Sequence, residues 1–271
     1  MGQLQSRPHA ERPAVRIIVT RPQPQATQWV AQLLALGQPA AALPLLGIGD
    51  APDPAAVAEA WRRLPGCALA MFVSPSAVER FVALRPAGLA WPEGVLAGGT
   101  GPGTEAALLA AGVPAAAIVT PPEAAGRFDS EALWSELARR RPWTGAQALI
   151  VRGEGGRDWL ANTLAQQGAR VHFIEAYRRS APVPDGDGRA VLRDAIAAPA
   201  AHAWLFSSSE SARHLPALAP GADWSAGWAL ATHDRIAEAA RDLGFGRVER
   251  VAPSPAAVAA HITRALQSAR P

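Results

Sequence analysis

The chain repeats one arrangement of strand, turn and helix, and this internal doubling constrains its fold more than any other feature. Residues 17–46 contain a short apolar strand, a turn, a helix pattern that ends at Gly37, and a second extended segment. Residues 148–177 repeat this order about 131 residues later, with a helix pattern that ends at Gly168. Glycine just after the last apolar position is typical of a helix C-terminus. The two copies predict two α/β units rather than a long solenoid.

Two further pairs of segments extend the repeat. Residues 72–76 (FVSPS) match residues 206–210 (FSSSE). Each of these two segments begins at the end of a predicted strand and continues with serines that can cap a helix. Residues 95–112 match residues 228–244 as strand, turn and helix. Strands that alternate with helices at this spacing predict parallel sheets with right-handed crossovers. In such sheets ligands bind at the carboxyl ends of the strands.

Three local predictions concern the second half. Residues 152–158 are expected to form a polar, glycine-rich turn. Residues 181–188 (APVPDGDG) are expected to form an exposed turn or linker. Residues 210–218 are expected to form one helix.

The amino-acid composition excludes several classes of functional site. A length of 271 residues with 49% hydrophobic residues is enough for two packed cores. The sequence contains no Lys, so all 26 basic residues are Arg, which excludes a Walker-type phosphate loop and a Schiff-base lysine. The net charge of +3 is too small and too evenly spread to indicate nucleic-acid binding. Arg at turns favours a small polyanion as the ligand instead.

Neither a metal site nor a membrane span is expected. The single cysteine, Cys67, excludes an internal disulfide, and the six histidines show no ligand spacing. No apolar run approaches the roughly 20 residues that a membrane-spanning helix needs, and the N-terminus has no apolar centre. The sequence therefore predicts a cytoplasmic protein without metal, with residues 1–14 as a flexible tail.

Two groups of residues could indicate a dinucleotide-binding enzyme or a hydrolase, but the sequence around them favours neither class. The glycines within residues 98–103 follow a strand and open a helix, but the acidic residue that a dinucleotide site requires is missing. The serines at 207–209 with His233 and Asp234 could form a hydrolase triad, yet the chain lacks a Gly-x-Ser-x-Gly motif there and adjacent His and Asp orient each other poorly. We interpret the glycines as tight turns and the serines as helix caps.

Turn arginines and one tyrosine are the strongest candidates for a site. Arg21, Arg152, Arg157 and Arg235 lie on turns at the predicted carboxyl ends of strands, in equivalent places of both halves. Guanidinium groups bind carboxylates through two parallel hydrogen bonds, although surface arginines are commonly only solvated. Tyr177 is the only tyrosine, and it either packs at a strand end or donates a proton to a leaving hydroxyl.

Taken together, these segments resemble uroporphyrinogen-III synthases over residues 15–266, in the same order. In the first half the resemblance rests on Arg21-Pro22, residues 72–78 (FVSPSAV) and residues 101–104 (GPGT). In the second half it rests on Arg152-Gly153 with Arg157, residues 175–178 (EAYR) and residues 206–210 (FSSSE).

The resemblance implies an α/β fold of two interleaved parallel-sheet domains, flavodoxin-like or Rossmann-like, joined by a two-stranded linker with an active-site cleft between them. Domain 1 would comprise residues 15–40 and 184–266, and domain 2 would comprise residues 52–174. The linker would comprise residues 41–51 and 175–183, which places Tyr177 at the hinge.

The resemblance also implies the reaction. Hydroxymethylbilane, a linear tetrapyrrole with eight carboxylates, would close to uroporphyrinogen III with loss of water and inversion of ring D through a spiro intermediate. No cofactor and no metal are implied, Tyr177 would assist departure of the hydroxyl, and the enzyme would be a monomer in transient contact with the preceding pathway enzyme. The residues expected to bind the substrate are Arg21, Ser74, Ser76, Gly101, Thr104, Arg152, Gly153, Arg157, Ser208, Thr232 and Arg235.

One difference from the family's sequence pattern and two alternative functions stay open. Many members of the family carry Gly-Pro-Thr where this chain has His-Asp-Arg at 233–235, so either Arg235 or Thr232 would have to supply that contact. A two-lobed module that binds an anionic small molecule without catalysis would have the same fold and arginines. A nucleotide-using enzyme is a weaker alternative, because the chain lacks the Lys and the acidic residue that such sites use.

Overall fold

A computed structural model of the chain describes residues 15–122, 128–155 and 158–268. Contacts between residues divide the chain into two units. Unit 1 takes the residues up to Leu46 and from Ala181 onward, and unit 2 takes Gly47–Ser180. The finer bounds with a separate linker stay a prediction. The predicted tail at 1–14 lies outside the described residues.

Strands and helices alternate along the chain, as the repeat predicts. The strands are β1 (Arg16–Val19), β2 (Ala40–Ala42), β3 (Gly47–Gly49), β4 (Leu69–Phe72), β5 (Leu96–Gly99), β6 (Ile118–Val119), β7 (Gln147–Gly153), β8 (Arg170–Ser180), β9 (His202–Phe206), β10 (Trp228–Ala231) and β11 (Arg247–Arg250). The helices are α1 (Gln25–Ala35), α2 (Pro54–Arg63), α3 (Pro75–Ala83), α4 (Pro102–Ala110), α5 (Ser130–Leu137), α6 (Trp159–Gln166), α7 (Gly186–Ala197), α8 (Ser209–Arg213), α9 (Leu215–Leu218), α10 (Asp234–Asp242) and α11 (Pro255–Ser268).

Unit 1 contains a parallel sheet of five strands in the order β11-β10-β9-β1-β2. Ile17 on β1 pairs with Ala40 on β2 and with Ala203 on β9. Both faces of the sheet are buried, because α7, α8, α9 and α10 cover one face while α1 and α11 cover the other. Strands that are buried on both faces read as continuous apolar runs, which explains why β9 reads HAWLF.

Unit 2 contains a sheet of six strands in the order β3-β8-β7-β4-β5-β6. The short β3 runs antiparallel to β8, and the other neighbours are parallel. Helices α2, α3 and α4 cover one face, and α5 and α6 cover the other. The register between β7 and β8 shifts after Arg152, which pairs with Glu175, so that Gly153 lies opposite Tyr177.

The two sheets have the same strand order when β1, β2, β9, β10 and β11 are matched to β7, β8, β4, β5 and β6. Three of these matches, β1 with β7, β9 with β4 and β10 with β5, are the ones that the sequence repeat predicts. In unit 1 the chain leaves the neighbouring strands β1 and β9 in opposite directions, and in unit 2 it does so from β7 and β4. Such a switch point is where open α/β sheets bind ligands, at the carboxyl ends of the strands.

Two predicted helix bounds are wrong in detail. The single helix predicted over 210–218 is divided into α8 and α9, because Pro216 has no N–H with which to continue the first helix. The exposed turn predicted over 181–188 ends early, because α7 begins at Gly186. Asp185 starts that helix by accepting the N–H of Gly188 at 2.7 Å.

Candidate functional site

The switch point of unit 2 brings Tyr177 and Ser74 together. Tyr177 lies on β8 and is 2% exposed, and its hydroxyl oxygen lies 3.2 Å from Oγ of Ser74. Ser74 follows β4 and caps α3 as predicted, because its Oγ accepts the N–H of Ala77 at 3.2 Å. The structure therefore joins the predicted catalytic residue to a predicted binding residue 103 positions away.

Gly153 makes room for the ring of Tyr177. A Cβ atom at Gly153 would lie 2.5 Å from Cε2 of Tyr177, which is closer than two such carbons can approach. The register shift beside Gly153 places the tyrosine opposite it, and such irregularities commonly re-aim a side chain next to an active site. Gly153, a predicted substrate-binding residue, thus contacts the tyrosine directly.

Arg179, which is not among the predicted site residues, completes this group. Its Nη2 donates to the hydroxyl oxygen of Tyr177 at 3.3 Å, and its Nη1 donates to the carbonyl of Glu154 at 3.1 Å. The spacing of two residues could have indicated this contact, because residues i and i+2 of a strand point to the same face. We refer to Ser74, Gly153, Tyr177 and Arg179 as the tyrosine cluster.

Arg152 lies inside β7 and not on a turn as predicted, because the pairing with β8 extends to Gly153. Its side chain is 16% exposed, its Nη1 lies 2.5 Å from Oδ1 of Asp158, and its guanidinium carbon lies 4.1 Å from the ring centroid of Phe173. Arg152 therefore already has a carboxylate partner. Arg157, the neighbouring predicted site residue, lies outside the described residues.

Ser76, Gly101 and Thr104 lie at the starts of α3 and α4, at the carboxyl ends of β4 and β5. Ser76 is 4% exposed and Thr104 is 3% exposed. The methyl group of Thr104 packs on Gly99, where a Cβ would lie 2.9 Å from it. The side chains of Ser76 and Thr104 are therefore inside unit 2, and the helix starts offer backbone N–H groups to an anion instead.

Arg21 follows β1 at the switch point of unit 1. Its guanidinium carbon lies 4.3 Å from the ring centroid of Trp29, and its Nε is buried without a hydrogen-bond partner among the described residues. Burial lowers the pKa of Arg21 to about 10, because the charged form loses hydration. Thr20 fixes the start of this loop beside β9 by donating from Oγ1 to the carbonyl of Leu205 at 2.8 Å.

The other predicted residues of unit 1 follow β9 and β10. Ser208 caps α8 as predicted, with its Oγ accepting the N–H of Ser211 at 3.3 Å. Thr232 directly follows β10, and its N–H donates to the carbonyl of Phe206 at 3.3 Å. Arg235 lies in the first turn of α10 with an exposed side chain. Thr232 is thus held at the sheet edge, whereas Arg235 extends from a helix.

The family model described as uroporphyrinogen-III synthase HemD matches residues 27–260 of the chain. The chain belongs to the uroporphyrinogen-III synthase family. The uroporphyrinogen-III synthase of Salmonella typhimurium is 31% identical to it over 236 residues, which cover 84% of this chain and 92% of that protein. The Escherichia coli uroporphyrinogen-III synthase is 30% identical with the same coverage.

The fold agrees with a solved structure of this family. A mutant uroporphyrinogen III synthase from the extremely thermophilic bacterium Thermus thermophilus matches with a TM-score of 0.57 and 22% identity, over 94% of this chain and 100% of that one. The predicted family, the α/β fold class and the enzyme class are therefore confirmed: the chain is a lyase of tetrapyrrole and haem biosynthesis that acts on a small molecule.

The described part of this uroporphyrinogen-III synthase family member contains no group of three or more His, Cys, Asp or Glu side chains placed to hold a metal ion. None of its described helices has the length and apolarity to cross a membrane. Cys67 is half-buried, and burial raises the pKa of its thiol. A thiol with a raised pKa is a weak nucleophile at neutral pH.

Proposed function

We propose that this chain closes hydroxymethylbilane to uroporphyrinogen III, and that Tyr177 supplies the proton with which the substrate hydroxyl leaves as water. The contact between the hydroxyls of Tyr177 and Ser74, at the carboxyl edge of the unit 2 sheet, carries the proposal. Protonation turns a poor leaving group into water, and the remaining azafulvene is the electrophile for ring closure. Loss of this proton turns the Tyr177 side chain into a phenolate, which can take a proton back at the end of the cycle.

The burial of Tyr177 indicates how the proton leaves the phenol. Tyr177 is 2% exposed, whereas Ser74 is only half-buried. We infer that Ser74 passes the proton on: it receives the proton of Tyr177 and gives its own to the departing hydroxyl. The oxygen of Ser74 has two lone pairs, of which one accepts the N–H of Ala77 and the other is available to Tyr177. The protons balance, because Tyr177 loses one and Ser74 keeps one.

Ring D must attack through its substituted carbon, which is a problem of orientation. We propose that arginines orient the substrate by binding its carboxylates. Arg21 is the strongest candidate, because it is largely buried and has no ion-pair partner among the described residues. Arg235 is exposed and can extend to a ligand, whereas Arg152 would have to exchange Asp158 for a substrate carboxylate. Ser208, Thr232 and the helix starts at Gly101 and Ser76 are proposed to add further contacts.

The product isomer tests this function. Purified protein would receive freshly generated hydroxymethylbilane, and the oxidised products would be separated by chromatography into type I and type III uroporphyrin. We expect predominantly type III. Type I alone, which forms by unassisted closure, would contradict the enzyme function and favour the binding module.

The Tyr177→Phe variant tests the proton donor. We expect its kcat for type III formation to fall about 100-fold, which is the low end of what general acids contribute. Thr163→Val is the matched control, because it also removes one hydroxyl, bonded there to the carbonyl of Trp159 on α6. Near-full turnover in Tyr177→Phe would show that the proton comes from another group.

We also propose a monomeric, cytoplasmic enzyme that meets the preceding pathway enzyme transiently. The exposed large apolar side chains support the monomer, because they are distributed over different helices, strands and loops. Light scattering on a gel-filtration column would show one chain per particle. The same column run with the preceding enzyme would show co-elution if their contact persists.

A further inference from the structure

We propose that Arg179 is a positioning residue for this reaction: it directs the proton of Tyr177 towards Ser74 and stabilises the phenolate that remains. This inference rests on the proposed role of Tyr177 as proton donor. It begins with two hydrogen bonds of one guanidinium, from Nη2 to the Tyr177 hydroxyl at 3.3 Å and from Nη1 to the carbonyl of Glu154 at 3.1 Å.

The direction of the hydrogen bonds follows from what each group can do. A guanidinium only donates hydrogen bonds, so the oxygen of Tyr177 must accept from Arg179. The proton of Tyr177 then points away from Arg179. Ser74 lies 3.2 Å from the phenol oxygen, and one of its lone pairs is already used by the N–H of Ala77. With the phenol donating to the remaining lone pair of Ser74, the proposed chain of hydrogen bonds runs from Arg179 to Tyr177 to Ser74.

The second hydrogen bond of Arg179 keeps the guanidinium in place. The carbonyl of Glu154 accepts from its Nη1, and the N–H of Glu154 donates to the carbonyl of Tyr177 at 3.0 Å. Arg179 thus links the strand that carries the tyrosine to the residue that follows β7. Because its position does not depend on the substrate, the phenol is oriented before the substrate binds.

The charge of Arg179 acts at the step in which the proton leaves. A hydrogen bond from a guanidinium to an anionic oxygen is stronger than one to a neutral oxygen. The contact between Arg179 and Tyr177 therefore strengthens as the transition state forms. An interaction that strengthens in this way raises kcat and leaves substrate binding unchanged.

The neighbouring Arg178 provides a matched control. Side chains alternate between the two faces of a strand, and Arg178 is exposed whereas Arg179 is partly buried beside Tyr177. Replacing either arginine by Met removes the same charge from the same strand. Only the Arg179→Met replacement removes a contact to the phenol.

A double-mutant cycle tests the proposal. We expect Arg179→Met to lower kcat about tenfold, the loss of one charge-assisted hydrogen bond, with KM within about twofold of the wild type. Arg178→Met should behave as the wild type. Adding Arg179→Met to Tyr177→Phe should cause no further loss, since Arg179 acts through the phenol. Equal kcat in Arg179→Met and Arg178→Met, or losses that multiply in the double variant, would overturn the proposal.

A spectroscopic measurement gives a readout that does not depend on turnover. The chain has one tyrosine, so protein made with ¹³C-ring-labelled tyrosine shows a single Cζ resonance. We expect Arg179→Met to move this resonance and Arg178→Met to leave it in place; a resonance unmoved by Arg179→Met would overturn the proposal. Full turnover in Tyr177→Phe would end the proton-donor role, while the resonance would still report whether Arg179 orients the phenol.

Discussion

A Cβ atom at Gly153 would lie 2.5 Å from Cε2 and 2.6 Å from Cζ of Tyr177. The ring of the only tyrosine therefore rests on a strand position where no side chain fits. The register shift between β7 and β8 brings the two residues opposite each other. The proposed proton path starts at the hydroxyl of this ring.

We expect Gly153→Ala to lower kcat for type III formation more than tenfold, because the ring of Tyr177 must move away from Ser74. Overpacking of this kind also costs about 1–3 kcal/mol of stability, which urea unfolding would measure. Gly66→Ala is the control, since no atom lies within 4 Å of its added Cβ and its free energy of unfolding should change by less than about 0.5 kcal/mol. Wild-type kcat in Gly153→Ala would show that the ring position is not needed.

The two cap serines occupy equivalent places in the repeat and should differ in function. Ser74→Ala and Ser208→Ala should each destabilise the protein by about 1 kcal/mol, because each removes the cap of a helix start. Only Ser74 contacts the phenol, so Ser74→Ala should lower kcat at least tenfold while Ser208→Ala should raise KM with kcat nearly unchanged. Steady-state kinetics would separate the two, and equal kcat in both variants would contradict the relay through Ser74.

Replacing Arg21 by Met should stabilise the fold and weaken substrate binding. Below its pKa of about 10 the guanidinium is charged, and burial of that charge costs free energy. Arg21→Met should therefore raise the free energy of unfolding by about 1–2 kcal/mol near neutral pH, and raise KM at least tenfold. Arg193→Met, at an exposed position of α7, is the control for loss of charge.

The pH dependence of this gain follows from the sign of the shift. The pKa of Arg21 is lowered to about 10 in the fold by burial, so the unfolded chain binds the proton more tightly. The wild type then regains stability as the pH rises above about 10, and the advantage of Arg21→Met shrinks there. An advantage that is constant with pH would mean that burial of the charge is not its cause.

Glu249 should stabilise unit 1 only above acidic pH. Burial alone would raise its pKa, but hydrogen bonds from Arg247 at 2.8 Å and His261 at 2.5 Å outweigh burial and lower the pKa from 4.5. Its contribution is present above about pH 4.5 and is lost as the pH falls through the lower folded value. Glu249→Gln should therefore cost about 0.5–1 kcal/mol near neutral pH and little in strong acid.

Urea unfolding at several pH values would measure the effect of Glu249→Gln. Glu238→Gln is the matched control, because Glu238 is exposed on the neighbouring helix α10. A difference between Glu249→Gln and the wild type that stays the same from neutral to acidic pH would contradict the role assigned to these hydrogen bonds.

Local patterns in the sequence were sufficient for the fold class and the family. Strands buried on both faces must be apolar throughout, so β1 and β9 are visible as apolar runs. Helices that turn back onto a sheet need a residue tolerant of positive φ at their end, and Gly37 and Gly168 have φ values of 75° and 83°. The order of these signals repeats, and the repeat alone predicted two units with equivalent strands.

The arrangement of the site was not readable in this way. Arg21 was predicted as a ligand for carboxylates, but its burial and its stacking on Trp29 depend on how α1 packs against β1. Arg152 was predicted on a turn, and only the pairing of β7 with β8 shows that it lies in a strand beside Asp158. Each case depends on a neighbour that the local pattern does not specify.

By itself the sequence determined that this is a doubled α/β chain with an arginine-rich, lysine-free set of site candidates and one tyrosine. Only the tertiary structure decided that Tyr177 rests on Gly153, contacts Ser74 and accepts a hydrogen bond from Arg179. The physical reason is the separation along the sequence of the residues whose contacts set each feature. Helix ends, turns and buried strands are set by contacts within a few residues, whereas strand order and register are set by packing between segments that lie far apart in the chain.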